Sequence, residues 1–312
     1  MHQSKDEIIQ QLIDDVSEER IRRTLFALAR DPLPRRTLNY TLPGHDRCTL
    51  YEADDLIAAE LQQCGYAVER EPCRVQAYRC NRDKPLHHWY DSPAPDDPYY
   101  TAYNLYANKQ GSRYPNEFIV LIAHKDSQSW IACPGANDNA IGTASIMELA
   151  RVLAGYNSER SMRWLFCNEE HSPWTSEVAA AGSKARGEKL IGVFNLDGVG
   201  VKSDEDTANH RLVNISLYST PEGKILADLM AEMNEVYQLG LEQRAEAKTY
   251  INDDDGSYIK AGFPHVTANI GSWPYADPQY HLEGDVPERT DTRNACLSAR
   301  ATLAAVLTLD RR

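Results

Sequence analysis

The sequence predicts an α/β fold, one domain built on a largely parallel sheet, and three observations predict it. Apolar runs of strand length recur as "FIVLIA" (118–123), "MRWLFC" (162–167) and "IGVFNL" (191–196). Between the first two lies a segment of helical spacing with Ile146, Leu149, Ala150 and Leu153 on one face. At 312 residues, 42% of them hydrophobic, the chain can bury one large core. Strands that alternate with helices pair in parallel, because a crossover helix carries the chain back to the end where the previous strand began.

The chain opens with a helical segment over about 5–30. There Ile9, Leu12, Ile13, Val16, Ile21, Leu25 and Leu28 keep helical spacing, and Pro32 and Pro34 end it. Ile57, Leu61 and Cys64 mark the next helix, stopped by Gly65 and followed by the strand-like "YAVEREPCRV". Residues 79–98, "RCNRDKPLHHWYDSPAPDDP", have no period and read as a long surface loop with His87 and His88 solvated. After the three apolar strands come a helix over about 222–237 and a strand near 265–268. A final helix has Cys296, Ala299, Leu303 and Val306 on one face.

Formal charge is −13, from 46 acidic and 33 basic residues, which disfavours phosphate backbones and anionic lipid as partners. No stretch has the length of a membrane span, and the charged N-terminus has no secretory pattern. Seven cysteines without a C-x-x-C spacing argue against a disulfide framework or a thiolate zinc knuckle, so a cytoplasmic location is expected. Cys167 and Cys296 read as small core residues.

Each of the three apolar strands is followed by acidic or imidazole side chains. His124 and Asp126 follow the first, Glu169 and Glu170 in "CNEEHS" the second, and Asp197 in "NLDGVG" the third. Asp138 lies in "PGANDNAIG" and His281 in "PQYHLEGD". In open α/β sheets the ligand crevice lies beyond the carboxyl ends of the strands, so these residues are expected to converge. Nitrogen and oxygen donors without sulfur suit zinc better than calcium. Two divalent zincs balance three carboxylates and one hydroxide, which suits a partly buried pocket.

The order H-x-D, P-G-x-x-D-N-x-x-G, E-E, N-L-D and Y-H, over about 117–285, resembles the dinuclear-zinc aminopeptidases of the bacterial leucyl aminopeptidase type. The resemblance implies a zinc-exopeptidase-like three-layer domain over 1–312, its sheet mixed and largely parallel with helices on both faces. It implies two Zn2+ per chain, with His124 and Asp197 on one zinc, Glu170 and His281 on the other, and Asp138 shared. Glu169 becomes the general base, and Asp126 the carboxylate that holds His124. The expected activity is removal of the N-terminal residue of a peptide, or cleavage of an aminoacyl amide, by a metal-bridging hydroxide. The oligomeric state stays open. A glutaminyl-cyclase-like single-zinc acyltransferase and a non-catalytic binding relative are the alternatives. A cis peptide is expected after Asp138, where the chain must turn sharply into a helix.

Three further readings accompany these. His171 stands where such enzymes often have glycine, and reads as a structural or surface residue, with a substrate carboxylate as its other use. Trp130, Trp174, Trp273 and Tyr275 are candidates for the specificity pocket. Asp253, Asp254 and Asp255 read as a solvated turn or helix cap, with a substrate ammonium as the other use for one of them.

Overall fold

Alternate residues of "FIVLIA" go to opposite sides of a sheet. Ile119, Leu121 and Ala123 join a core with Ile146, Leu149 and Phe194, while Val120 and Ile122 join another with Leu165, Val193 and Tyr258. A strand covered on both faces is apolar throughout, which is why this segment lacks a polar alternation. The computed structural model describes residues 5–274 and 276–312. Tyr275, one of the pocket candidates, lies outside them.

One face of the sheet is covered by the helices Ile141–Leu153, Pro221–Val236 and Thr292–Asp310, with Glu7–Asp14 and Glu18–Ala29 beside them. Thr175–Ala185 and Asp253–Ala261 cover the other. This is the expected three-layer α/β arrangement. The opening helical segment is two helices rather than one. Asp6 caps the first by accepting from the Ile8 and Ile9 N–H groups, and Ser17 caps the second by accepting from Arg20 N–H.

Among the described residues the main sheet has nine strands. From edge to edge they are Glu242–Ala247, Val213–Tyr218, Val266–Ile270, Lys189–Leu196, Tyr114–His124, Arg160–Cys167, Tyr99–Lys109, Val68–Ala77 and His171–Ser172. Parallel pairing joins the central run from Val266–Ile270 to Arg160–Cys167. The strands beyond Arg160–Cys167 are antiparallel.

Tyr99–Lys109 was not legible in the sequence because buried Asn104 interrupts its pattern. The Asn104 amide donates to Thr175 O and Glu71 Oε2, both at 2.9 Å, which satisfies it inside the sheet. Glu242–Ala247 escaped notice because it is a polar edge strand, the kind that resists pairing with other chains. No helix among the described residues is long and apolar enough to cross a membrane.

Residues 79–98 are more than a surface loop. Arg79–Cys80 pairs with Tyr90–Asp91, and Tyr78, Trp89 and Tyr90 pack on Trp130 and Ile131. This hairpin leans over the carboxyl ends of the central strands, where the candidate residues gather.

Candidate metal centre

Parallel strands end on the same side, and this places His124, Glu169, Glu170 and Asp197 together. His124 closes its strand, the glutamates follow Cys167, and Asp197 follows Leu196. Asp138 comes from the turn before the helix Ile141–Leu153. Gly135 adopts φ 57° there, and the Asp138–Asn139 peptide is cis, as expected. Gly142 lets this turn lie against the next strand end: a Cβ there would sit 2.1 Å from Leu196 O. Asn139 ties the two segments by donating to Leu196 O at 2.8 Å and accepting from Gly142 N–H at 3.0 Å.

The two oxygens of Asp138 face different histidines. Oδ1 lies 3.1 Å from His124 Nε2, and Oδ2 lies 3.2 Å from His281 Nε2. His124 Nε2 is also 3.6 Å from Asp197 Oδ1, and His281 Nε2 is 3.7 Å from Glu170 Oε1. Each imidazole nitrogen thus faces two carboxylates, one of them shared. Ligands about 2.0–2.2 Å from a tetrahedral zinc lie roughly 3.3–3.6 Å apart, a spacing that the observed 3.1–3.7 Å separations bracket. Burial and the neighbouring carboxylate of Asp138 push Glu170 well above the usual carboxylate range. Divalent cations would relieve that crowding.

Both histidines are aimed by their other nitrogen. His124 Nδ1 is 3.3 Å from Asp126 Oδ1, and His281 Nδ1 is 2.8 Å from the His87 carbonyl. His87, read as solvated, is half-buried and supplies this backbone acceptor, while His88 is exposed. The His281 ring is enclosed by Trp130 at 5.1 Å, Tyr90 at 5.6 Å and Tyr280 at 3.7 Å between centroids.

Asp126 holds more than one histidine. It accepts from the Glu169 and Glu170 N–H groups, both at 2.9 Å, and from His171 Nδ1 at 2.8 Å. Of the structural and surface places expected for His171, the structural one is observed: it is fully buried, and its Nε2 accepts from Leu38 N–H. That acceptance fixes the proton on Nδ1. Burial raises the Asp126 carboxyl, but His124 and His171 overcome it and hold the group well below its ordinary range.

Glu169 differs from its neighbour. It is half-buried on the cavity wall, and its Oε2 accepts from Asp254 N–H at 3.1 Å. Burial and the charges of Asp254 and Asp253 push its carboxyl well above the usual range. His124, Glu169 and Asp197 offer donor atoms within 4.8 Å of one another, as do His124, Asp138 and Glu170.

Three supporting residues went unnoticed in the sequence. Gln128 Nε2 donates to Asp138 Oδ2 at 2.8 Å and Glu170 Oε1 at 2.7 Å, holding the two carboxylates side by side. Asp285 accepts from the Asn137 and Asp138 N–H groups at 2.8 and 3.0 Å, and burial pushes it up to about 7. Arg36, fully buried, donates to the carbonyls of Lys125, Pro134 and Gly135 at 2.7–2.8 Å and to Leu28 O. It clamps the loop after His124 to the turn before Asp138. A glutamine, an aspartate and an arginine at these places form no local pattern; only the folded chain relates them.

A cavity of about 490 Å3 opens over these residues. Trp130 and Trp174 line it. Trp273 instead packs on Tyr250 at 6.1 Å and on the strand cluster around Ile215. The three aspartates form the first turn of the helix Asp253–Ala261 after its cap residue Asn252, not a solvated turn: Asp254 and Asp255 are buried, and Asp253 faces the cavity.

Known proteins resemble this chain in sequence or in fold. A "probable zinc metalloprotease" of Pyrenophora teres f. teres is 30% identical over 259 residues, 79% of this chain and 50% of its own length. A "probable aminopeptidase" of Saccharomyces cerevisiae is 23% identical over 219 residues, 66% of this chain and 57% of its own. The chain spans about half the length of the curated relatives it matches. Among solved structures, an aminopeptidase from Aneurinibacillus superposes with a TM-score of 0.74 at 16% identity, covering 96% of this chain and 95% of its own. A glutaminyl cyclase of Bacteroides thetaiotaomicron gives 0.70 at 14%, covering 94% and 98%. These two likenesses establish the fold. Residues 104–306, more than half of the chain, match peptidase family M28 from the strand beside Arg160–Cys167 through most of the last helix, and the chain belongs to that family.

Proposed function

We propose that this protein is a two-zinc aminopeptidase that hydrolyses the first peptide bond of a peptide, or an aminoacyl amide. The observation that carries the reading is the Asp138 carboxylate, whose two oxygens face His124 and His281 respectively. His124 and Asp197 would hold one zinc, Glu170 and His281 the other, with Asp138 between them. Zinc bound there would lower the pKa of a water from about 15.7 toward about 7 and polarise the scissile carbonyl.

The protein's own groups supply the rest. Glu169, with its elevated affinity for protons, takes the proton of the attacking water and delivers it to the leaving amine. The Asp254 N–H keeps one of its oxygens in place, leaving the carboxylate on the cavity wall. Asp126 aligns His124 and the backbone of both glutamates together.

Chelator-treated protein is expected to bind two zinc equivalents and to regain cleavage of aminoacyl reporter amides. Elemental analysis and titration with a reporter panel measure both. The glutaminyl-cyclase fold similarity supplies the second reading: one tightly held metal with full activity and no second binding event would favour it.

Asp126→Asn is expected to weaken zinc binding about 10–100-fold. The amide keeps one acceptor oxygen but turns its N–H2 toward a donor, and it lacks the charge. Competition against a chromophoric chelator measures this; unchanged affinity would show that Asp126 does not hold His124 for metal.

A further inference from the structure

The cavity over the candidate centre has a one-sided chemistry. Six carboxylates, three imidazoles and six Tyr or Trp rings line it, and among the described residues no lysine or arginine does. Asp138, Glu170 and Asp197 belong to the proposed ligand set and Glu169 to the proposed proton transfer. Asp277 Oδ1 accepts from Gln279 N–H at 2.9 Å. Asp253 remains.

Asp253 is held in an unusual way. Its φ of 62° lies in the left-handed region that non-glycine residues seldom adopt, and such backbone strain persists where the surroundings impose it. Lys248 imposes it here. This lysine is 3% exposed, and its Nζ donates to Asn252 O at 3.2 Å, Asp253 Oδ2 at 3.1 Å and Asp255 Oδ1 at 3.2 Å. Among the described residues no hydrogen bond engages the other Asp253 oxygen, and the side chain is 16% exposed. One ammonium shared by two carboxylates leaves the group negative. Its charge reaches the centre, since it acts on both Glu169 and Asp197.

With two zincs balanced by three carboxylates and a hydroxide, and with Asp277 Oδ1 facing Arg289 Nη2 at 3.8 Å, Asp253 is the carboxylate that keeps the cavity negative. Two other lysines sit over lining rings without lining the cavity themselves: Lys260 over Trp174 at 5.6 Å, and Lys84 over Tyr90 at 5.9 Å, its charge paired with Asp91. Aromatic walls add attraction for a cation through the negative faces of their rings. An acidic side chain would meet unpaired negative charge, and a neutral one would gain nothing from it.

We propose that the cavity selects an N-terminal residue with a cationic side chain, lysine or arginine, and that Asp253 is the carboxylate this side chain meets. The proposal rests on the aminopeptidase reading. It makes Asp253 a specificity determinant, distinct from the groups that hold metal or move protons.

The test pairs side chains of equal shape and unequal charge on the zinc-loaded full chain. kcat/KM is measured for arginine and citrulline reporter amides, with leucine and glutamate amides alongside, and calorimetry compares free L-arginine with L-citrulline. Arginine is expected to exceed citrulline about tenfold or more in both readouts, equivalent to about 1.4 kcal/mol. The ratio should shrink as salt rises. In Asp253→Asn it should fall toward one, and Asp253→Glu should restore part of it. A wild-type ratio near one, with citrulline or leucine amides cleaved, overturns the proposal and leaves the aminopeptidase reading standing. A tenfold ratio retained in Asp253→Asn overturns the assignment to Asp253. Failure to cleave any aminoacyl amide overturns both readings.

Discussion

Glu169→Gln is expected to lower turnover by about 10²–10⁴-fold while the protein keeps its zinc, the usual contribution of a positioned general acid–base group. Gln is nearly isosteric, and its oxygen can still accept from Asp254 N–H, the bond that fixes Glu169 Oε2 at 3.1 Å. What disappears is a carboxylate that can bind a proton, at a position where burial and Asp254 already favour the protonated form. Glu170→Gln is the control with the opposite outcome. Glu170 is buried beside His281 and pinned by Gln128, so its replacement should release metal before it changes any proton transfer. Zinc content after gel filtration and kcat on a reporter amide separate the two variants. Equal zinc loss in both would show that the adjacent glutamates do not divide the work in this way, an outcome left open by the proximity of Glu169 to His124 and Asp197.

Arg36→Met should cost on the order of 3–5 kcal/mol of folding stability, from several charged hydrogen bonds at roughly 1.5–3 kcal/mol each with partial rescue by water. The guanidinium has no solvent exposure and spends its donors on four backbone carbonyls. Burial pushes its pKa down to about 10, against the pull of Asp126 and Asp285, so it remains charged at neutral pH. Its removal strands acceptors in both segments that position His124 and Asp138. Zinc affinity should therefore fall along with stability. Arg36→Lys keeps the charge but presents a single nitrogen, which cannot span these carbonyls, so it should recover only part of the loss. Urea unfolding of the metal-free protein gives the stability term. A change below about 1 kcal/mol would mean that the two loops hold themselves together.

The legible part of the candidate site follows from the way parallel sheets work. Each apolar strand is buried on both faces, so it stands out in the sequence, and its end marks where the crevice begins. His124, Glu169, Glu170 and Asp197 were readable for that reason. Asp138 was readable through the motif P-G-x-x-D-N-x-x-G that carries the family resemblance, and the turn it forms uses Gly135 and Gly142. Tyr99–Lys109 was hidden by its buried polar residue, and Glu242–Ala247 by the charges of an edge strand.

Local pattern by itself determined the α/β class and pointed to the acidic and imidazole residues that follow the apolar strands, since strand length, helical spacing and turn glycines act within a few residues; the family resemblance supplied the full set of seven candidates. Tertiary structure alone decided how those residues are held. His171 shares Asp126 with His124 because a backbone N–H from residue 38 fixes its tautomer. His281 points at Asp138 because a carbonyl 194 residues away accepts from its other nitrogen. Asp253 faces the cavity because Lys248 is buried beneath it. Backbone carbonyls and buried charges form such contacts across the fold, and every residue carries the same backbone groups, so no spacing in the sequence reveals which ones will meet.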